Sequence, residues 1–288
     1  GNSISEIIGK NGNKRYVRLL TWVPGRLWSH VNPKLADLKH SLGETAGKIT
    51  KTLFNFKHPK SHYKFDWDIA QSLWTKDYLH LFSSEEKTMI MHFQKQFEGV
   101  QPTYIKLRKS IVHNDANDNN IIVSDDLKQP KVKSIIDFGD AIYTQTINDL
   151  AIACAYAIMQ HNDPLEATLH IVKGYHNSFP LKEDELAYLY VGIAMRLVIS
   201  VTKSAINKTK EPENKYLLIS ETPAWELLKN WFHVIPEFAL YSFRAACGFS
   251  PSPKETAFKN WTLKQDFKLS ELFPTINKNQ IQCLDLSV

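Results

Sequence analysis

HNDANDNNIIV at residues 113–123 and SIIDFGDA at residues 134–141 decide how this chain is interpreted. Each stretch joins Asp and Asn residues to β-branched residues, which is typical of short strands bounded by turns. Because Asn and Asp side chains bond to their own backbone, one interpretation is two turns in a hairpin and nothing more. The other interpretation is that the same oxygen atoms form a metal–phosphate site.

The spacing of these polar residues favours the second interpretation. His113, Asp115 and Asn120 fit the pattern HxDxxxxN, and the DFG sequence that begins at Asp137 follows seventeen residues after Asn120. This is the order of the catalytic loop and the metal-binding sequence of kinases. The pattern predicts Asp115 and His113 as catalytic-loop residues, with Asp115 orienting the acceptor hydroxyl and His113 bracing the loop. It predicts Asn120 and Asp137 as metal ligands.

Phosphoryl transfer explains why such residues would be needed. The phosphates of the nucleotide must be neutralised, usually by magnesium, and the acceptor hydroxyl must be held in line. Magnesium prefers oxygen ligands, which carboxylates supply together with phosphates and water. A metal-dependent hydrolase is a third interpretation, but it requires further ligands at metal spacing. The other ten of the 11 histidines show no such spacing.

Composition narrows the class of protein. The 288 residues are 43% hydrophobic, with 35 Lys+Arg against 30 Asp+Glu, so a large core is possible and the net charge of +5 is mild. There is no basic stripe for nucleic acid and no apolar run of about 20 residues for a membrane span. The three cysteines lie far apart and form no disulfide or zinc pattern. We therefore expect a cytoplasmic protein that binds neither nucleic acid nor membranes.

The hydrophobic pattern predicts a mostly helical α+β protein with a few short strands. A hairpin is expected first, with strands at 5–8 and 15–23 around the turn at Asn11-Gly12. A polar tail or linker is expected from Gly248. Further strands are expected at 110–113, 121–123 and 132–136, and helices at 33–56, 68–82, 84–97, 103–109, 146–160, 165–178, 183–208, 213–232 and 236–244.

At these motifs the chain resembles the aminoglycoside phosphotransferase/choline kinase family, small-molecule kinases with the protein-kinase fold. LLTWVPG at 19–25 resembles the last strand of the N-lobe and the hinge, and NDLAIACAYAIM at 148–159 resembles the helix after the metal loop. The pairing of IDFGDA with that helix is most similar to hydroxylysine-kinase-like members. The family more commonly has Gly where this chain has Asn114, a change expected to alter loop packing rather than chemistry.

The resemblance implies a kinase-like fold with a truncated N-lobe. Residues 1–25 would be its last hairpin and hinge, 26–250 the helical C-lobe, and 251–288 the tail or linker. Thr21, Trp22 and Val23 would form the nucleotide hinge. The family's Gly-rich turn, strand Lys and helical Glu should precede Leu19, where only eighteen residues stand. We therefore expect a fragment of a longer protein that binds nucleotide poorly by itself.

The function implied is magnesium-dependent transfer of the γ-phosphoryl group of ATP or GTP to a hydroxyl of a small, amine-bearing molecule such as hydroxylysine, an amino alcohol or an aminoglycoside-like compound. Some hydroxylysine-kinase-like members are fused to further domains, so fusion is also expected here. An alternative from another class of protein is a catalytically silent, kinase-like interaction domain. Retention of Asp115, Asn120 and Asp137 argues against that alternative.

Two residues are candidates for contact with the acceptor. Asp140 directly follows DFG and could bind an amine or cap a turn. Arg196 lies within the apolar stretch YLYVGIAMRLVISV and needs a partner, because burying an unpaired charge is costly. It could clamp a substrate carboxylate or pair with an internal Asp or Glu, and we favour the internal pair. Asp149 is expected to secure the catalytic loop, and Trp22 and Trp28 to shape a purine slot or to pack in the core.

Overall fold

The structure, a computed structural model, describes residues 4–210 and 221–264. It is 59% helical with few short strands, so the predicted mostly helical α+β class is confirmed. The domain boundaries predicted after residues 25 and 250 stay predictions.

Helix α5 (Glu183–Lys210) is the core helix of the protein. Its length and apolar composition would suffice to cross a membrane, but 89% of the apolar window is buried inside the protein. It packs against the segment Ile69–Leu81 and against α2 (Ser84–Tyr104), α3 (Ile147–Ala157) and α6 (Glu221–Phe232). Its hydrophobic residues are therefore used in packing on almost every side, and its polar residues stand out as exceptions.

Helices α1 (Ala36–Leu53) and α4 (Pro164–Ser178) are in close backbone contact. A Cβ atom added at Gly174 would lie 2.0 Å from the backbone oxygen of His40. Only a residue without a side chain fits there, so the small residues of these helices set how closely they approach. The remaining helices are α7 (Pro236–Ala246) and α8 (Glu255–Lys264).

The strands of the described residues form three small antiparallel sheets. They are the hairpin β1 (Ser5–Ile8) with β2 (Lys14–Val17); β3 (Arg26–Leu27) with β5 (Ile121–Val123) and β6 (Val132–Ile135); and β4 (Lys109–Val112) with β7 (Ile142–Gln145).

This strand pairing places the two polar stretches side by side. Residues 113–120 connect β4 to β5, and residues 136–141 connect β6 to β7. Because β5 pairs with β6 and β4 pairs with β7, both loops cross between the same two sheets. The topology therefore brings together residues that are seventeen or more positions apart in the chain.

Several predicted elements differ from the structure. The second strand of the hairpin ends at Val17 and not at Val23. The helix predicted for 84–97 extends as α2 through Pro102 to Tyr104, and the helical continuation predicted for 103–109 is correct only for Thr103 and Tyr104. Tyr104 is buried and packs against Phe97 with ring centroids 5.3 Å apart. This tertiary contact lies in the last helical turn and opposes the helix-breaking tendency of proline.

Three further differences concern short elements. The segment Ile69–Leu81 forms 3₁₀ turns and not the predicted α-helix. Strand β7 was not predicted, and α8 lies within the segment predicted as a polar tail. The part of the predicted helix at 213–220 lies outside the described residues.

Candidate active site

Asp115, Asn120 and Asp137 line one cleft of about 380 Å³. Asn120 Nδ2 donates hydrogen bonds to Asp115 Oδ2 at 2.8 Å and to the Asp115 backbone oxygen at 2.9 Å. Asp140 and Arg196 line the same cleft. The structure thus brings together five of the residues that the sequence singled out.

The Asp115 carboxylate is oriented from two directions. Asn117 Nδ2 donates to its Oδ2 at 3.0 Å from within the same loop, beside the bond from Asn120. On the other side, Arg196 Nη2 on α5 donates to Oδ1 at 3.2 Å. The carboxylate is half-buried and faces the cleft. It is therefore held in one orientation at a point that a ligand in the cleft can reach.

Arg196 has an internal partner, and that partner is Asp115. Its Nη1 also donates to the Trp67 backbone oxygen at 2.8 Å. The guanidinium lies over the rings of Trp67 and Tyr156, 4.7 Å and 5.3 Å from their centroids. The side chain is 1% exposed. These contacts place Arg196 behind the Asp115 carboxylate, where it supports that residue.

His113 is buried and both of its ring nitrogens are used within the protein. The backbone N–H of Asp115 donates to Nδ1 at 3.1 Å, so the hydrogen is on Nε2, which donates to the Ile136 oxygen at 2.9 Å. The imidazole also packs against the Phe138 ring with centroids 4.5 Å apart. His113 thereby joins the two loops, as expected of a bracing residue.

Asn114 adopts a left-handed backbone conformation with φ of 67°. Glycine and asparagine tolerate this conformation best, which explains how Asn replaces the more common Gly. Its backbone N–H donates to Asp149 Oδ1 at 3.1 Å, and Thr50 Oγ1 donates to Asp149 Oδ2 at 3.2 Å. Burial raises the pKa of the Asp149 carboxyl, and these hydrogen bonds oppose the rise. Asp149 thus secures the loop from α3.

Asp137 is also left-handed, with φ of 64°. Its Oδ1 accepts a hydrogen bond from the Gly139 N–H at 3.1 Å, which stabilises the turn. Non-glycine residues in this conformation store strain and cluster at functional sites. Asp137 is exposed, and its second oxygen is directed to no hydrogen-bond donor among the described residues.

Asp140 lines the cleft within the field of the carboxylates of Asp115 and Asp137. Burial raises the pKa of its carboxyl, and the negative charge of Asp115 raises it further, while Arg196 opposes the rise. Burial likewise raises the pKa of Asp118, which Lys34 partly offsets. The part of the cleft around Asp140 and Asp115 therefore favours a cationic ligand, because a positive charge would relieve the repulsion between these carboxylates.

The predicted hinge residues do not line this cleft. Thr21 and Trp22 are exposed and Val23 is half-buried, and Trp22 is 82% exposed. Trp28 is part of the hydrophobic core, as one of the two interpretations proposed. The role of Thr21, Trp22 and Val23 in nucleotide binding stays a prediction.

The sequence analysis missed several residues of the cleft. Trp67, Tyr156 and Lys203 line it, and no sequence motif assigned any of them to a site. Lys203 follows Arg196 by seven positions, which places both on one face of a helix. That spacing was the available signal for Lys203, whereas Trp67 and Tyr156 become part of the cleft only through the tertiary fold.

The oxygen atoms of this cleft fit a magnesium site that includes phosphate. Asn120 uses its Nδ2 in hydrogen bonds, so its Oδ1 is the atom that could ligate a cation. Asp137 keeps one carboxylate oxygen outside its turn hydrogen bond. No group of three or more His, Cys, Asp or Glu side chains that could hold a metal occurs in the described parts of the chain. Asn120 and Asp137 thus match the one or two protein ligands that magnesium usually has in addition to phosphates and water.

Solved structures show which fold the chain has. A microcompartment-associated aminopropanol kinase has a TM-score of 0.58 at 16% identity, with 86% of this chain and 74% of that chain covered. An amicoumacin kinase in complex with AMP-PNP, Ca2+ and Ami has a TM-score of 0.53 at 17% identity, with 88% and 71% covered. These similarities establish the fold of a kinase-like protein.

The chain belongs to the phosphotransferase enzyme family (APH), which it matches over residues 3–181. It is 29% identical to hydroxylysine kinase of Mus musculus over 245 residues and 30% identical to that of Xenopus laevis over 235 residues. These matches cover 80% and 77% of this chain but only 64% and 63% of the two relatives. Homoserine kinase of Zymomonas mobilis is 27% identical over 171 residues, 57% of this chain and 52% of that protein. The predicted family is confirmed.

Proposed function

We propose that the protein transfers the γ-phosphoryl group of ATP or GTP, with magnesium, to a hydroxyl of a small amine-bearing molecule. The observation that carries this proposal is the position of Asp115, Asn120 and Asp137 around one cleft. Hydroxylysine and homoserine kinases among the relatives support a small amino-acid or amino-alcohol acceptor. The nucleotide analogue and divalent cation in the amicoumacin kinase complex support the donor and the metal.

Each residue has a specific task in this proposal. Asp115 accepts a hydrogen bond from the acceptor hydroxyl and aims its oxygen at the phosphorus atom. Asn120 and Asp137 would hold magnesium, which when bound neutralises the charge of the phosphates. His113 keeps the two loops in register through its bonds to Asp115 and Ile136. The proposal thus uses each side chain in the orientation that its hydrogen bonds give it.

The acidic end of the cleft is assigned to the amine of the acceptor. Asp140 is half-buried and lies within the field of Asp115 and Asp137. An ammonium group there would pair with carboxylates that otherwise repel one another. The amine would then fix the neighbouring hydroxyl beside Asp115. We also propose a cytoplasmic location, consistent with the free thiols of Cys154 and Cys247.

Thermal melting with nucleotide tests the proposal directly. The full-length protein should melt at a higher temperature in millimolar Mg-ATP or Mg-GTP, because a ligand of the folded state stabilises it by mass action. An excess of chelator serves as the control and should reduce the shift. Phosphate transfer from the same nucleotide to hydroxylysine or an amino alcohol is then measured. No melting shift and no transfer would favour the silent interaction domain.

A further inference from the structure

One face of α5 directs polar side chains into the cleft. Arg196, Ser200, Lys203 and Asn207 line it and follow one another at helical spacing. The rest of this helix is largely apolar and buried. Polar residues on a core helix require a polar partner, and the proposed phosphate chemistry uses only Arg196, through Asp115. The proposed phosphate chemistry therefore gives no role to Ser200, Lys203 and Asn207.

Arg196 is already committed to the protein. Its guanidinium donates to Asp115 and to the Trp67 backbone. The rings of Trp67 and Tyr156 cover it, and only 1% of the side chain is exposed. A substrate carboxylate would have to displace Asp115 to reach it. The second cation on this face of α5 is Lys203, and its surroundings are different.

Lys203 forms an ion pair with a carboxylate that a ligand can displace. Its Nζ donates to Asp66 Oδ2 at 2.6 Å and lies 4.8 Å from the Trp74 ring centroid. The side chain of Asp66 is 52% exposed and that of Lys203 is 24% exposed. An ion pair this exposed adds little to stability, because water solvates both partners when it opens. Exchange of the Asp66 carboxylate for another carboxylate would therefore change the stability little.

We propose that Lys203 binds the carboxylate of an amino-acid acceptor and thereby makes the enzyme prefer amino acids to amino alcohols. Asp66 occupies the same position in the free protein and is displaced when the acceptor enters. This inference rests on the proposed function, since it assigns one end of the same acceptor site. It narrows the acceptor to amino acids that carry a hydroxyl and a second amine at the end remote from the carboxylate, as hydroxylysine does.

The distribution of charge along the cleft supports this orientation. Lys203 lies seven residues after Arg196, about 10 Å along the helix axis, and Arg196 contacts Asp115. Asp140 lies within the field of Asp115 and Asp137, whereas Lys203 lines the cleft two helical turns beyond the arginine that contacts Asp115. A small molecule with hydroxyl and amine at one end and carboxylate at the other matches both ends.

The test compares two acceptors that differ only in the carboxylate: hydroxylysine and its decarboxylated diamino alcohol. In the full-length protein, Lys203→Met should lower the ratio of kcat/KM for hydroxylysine to kcat/KM for the diamino alcohol by about tenfold or more, mainly through KM. Lys203→Arg should retain most of the ratio, because the cation is kept. Asp66→Asn should raise the ratio, because it removes the competing carboxylate.

Lys208→Met is the matched control. Lys208 lies on the same helix and pairs with Glu221 at 2.5 Å, but it does not line the cleft. Its substitution should leave the ratio of the two acceptors unchanged. A Lys203→Met ratio equal to that of the unmodified protein would overturn the inference, as would an equal loss for both acceptors that Lys203→Arg fails to restore.

Calorimetric titration separates this inference from the phosphotransferase proposal. Binding of hydroxylysine that weakens in Lys203→Met, without any phosphate transfer, would support the carboxylate subsite and contradict the proposed activity. Transfer to both acceptors without any dependence on Lys203 would support the activity and overturn the subsite. Absence of both binding and transfer would overturn both.

Discussion

Asp115 is the residue on which the proposed chemistry depends. Its carboxylate is held by Asn117, Asn120 and Arg196, which come from its own loop and from the core helix. Holding a reacting group in place before the substrate arrives lowers the entropy cost of the reaction. The surrounding hydrogen bonds therefore serve orientation, and the carboxylate itself would act on the acceptor.

Replacement of Asp115 by Asn should lower turnover while nucleotide binding persists. The amide has nearly the same shape but cannot accept the hydroxyl proton, so we expect a loss of about a hundredfold to ten-thousandfold in kcat. Steady-state kinetics give the loss, and the melting shift with Mg-nucleotide should be retained. Asp125→Asn, on an exposed loop residue, is the control. Full turnover in Asp115→Asn would contradict its assigned role.

At the scale of elements, α1 and α4 show how closely two helices pack around glycine. The space at Gly174 is filled by the backbone of His40, whereas Gly99 on α2 has nothing within 4 Å of an added Cβ atom. The close approach of the two helices therefore requires glycine at position 174, whereas the packing leaves room for a side chain at position 99.

Gly174→Ala should destabilise the protein by about 1–3 kcal/mol or more, because the methyl group forces the helices apart. Gly99→Ala should raise the free energy of unfolding by about 0.5–1 kcal/mol, because alanine loses less entropy in a helix. Urea unfolding of both variants checks the pair. Equal effects at the two sites would show that the close contact does not limit this packing.

His176 joins α4 to the following turn and gives a pH dependence. Its Nδ1 accepts a hydrogen bond from the Leu181 N–H at 3.1 Å, and burial lowers the pKa of the ring. The folded protein therefore binds fewer protons at this site than the unfolded chain, and stability from it is lost as pH falls through the lowered pKa.

The unmodified protein should lose stability between pH 7 and pH 5 relative to His176→Asn, whose side chain can accept the same hydrogen bond without titrating. The comparison of unfolding free energies at each pH removes the contributions of all other groups, which both proteins share. The prediction fails if the difference between the two proteins stays constant over this range.

At the scale of the whole molecule, α5 connects regions that are far apart in the chain. Near its start, Glu185 accepts hydrogen bonds from Arg108 at 2.6 Å and 2.7 Å. The Glu185 side chain is 1% exposed, and Arg108 lies between α2 and β4. This buried ion pair links the first half of the helical lobe to the second.

Arg108→Met should destabilise the protein by about 3–5 kcal/mol, because it leaves a carboxylate buried without its partner. The double variant Arg108→Met/Glu185→Leu should recover most of this loss, since two apolar side chains need no partner. Unfolding free energies of the two single variants and the double variant form the measurement. Additive losses would mean that the two side chains are not energetically coupled.

Features that depend on residues close together in the sequence, such as most helices and the loop motifs, were predicted correctly. Helical periodicity identified most helices of the lobe, and the spacing from His113 to Asp137 identified the loops of the cleft. Strand β7 was missed because its partner β4 lies more than thirty residues earlier and only the pairing defines it. The helix through Pro102 was missed because the burial of Tyr104 is a tertiary effect.

The walls of the cleft were less predictable than its loops. Asp66 and Lys203 are 137 positions apart, and no local pattern signals their ion pair. Arg196 was recognisable as a charge that needs a partner, but several carboxylates could have served. Only the packing of α5 against the rest of the lobe selects Asp115.

Asn114 and Asp115 are neighbours in the chain, yet Asp149 on α3 anchors one and Arg196 on α5 anchors the other. Because α3 and α5 pack directly on each other, this loop cannot loosen unless the centre of the lobe separates. Heating should therefore leave the loop intact until the lobe itself unfolds. The rate of the reaction would then rise steadily with temperature and collapse in a single step, without an earlier gradual decline.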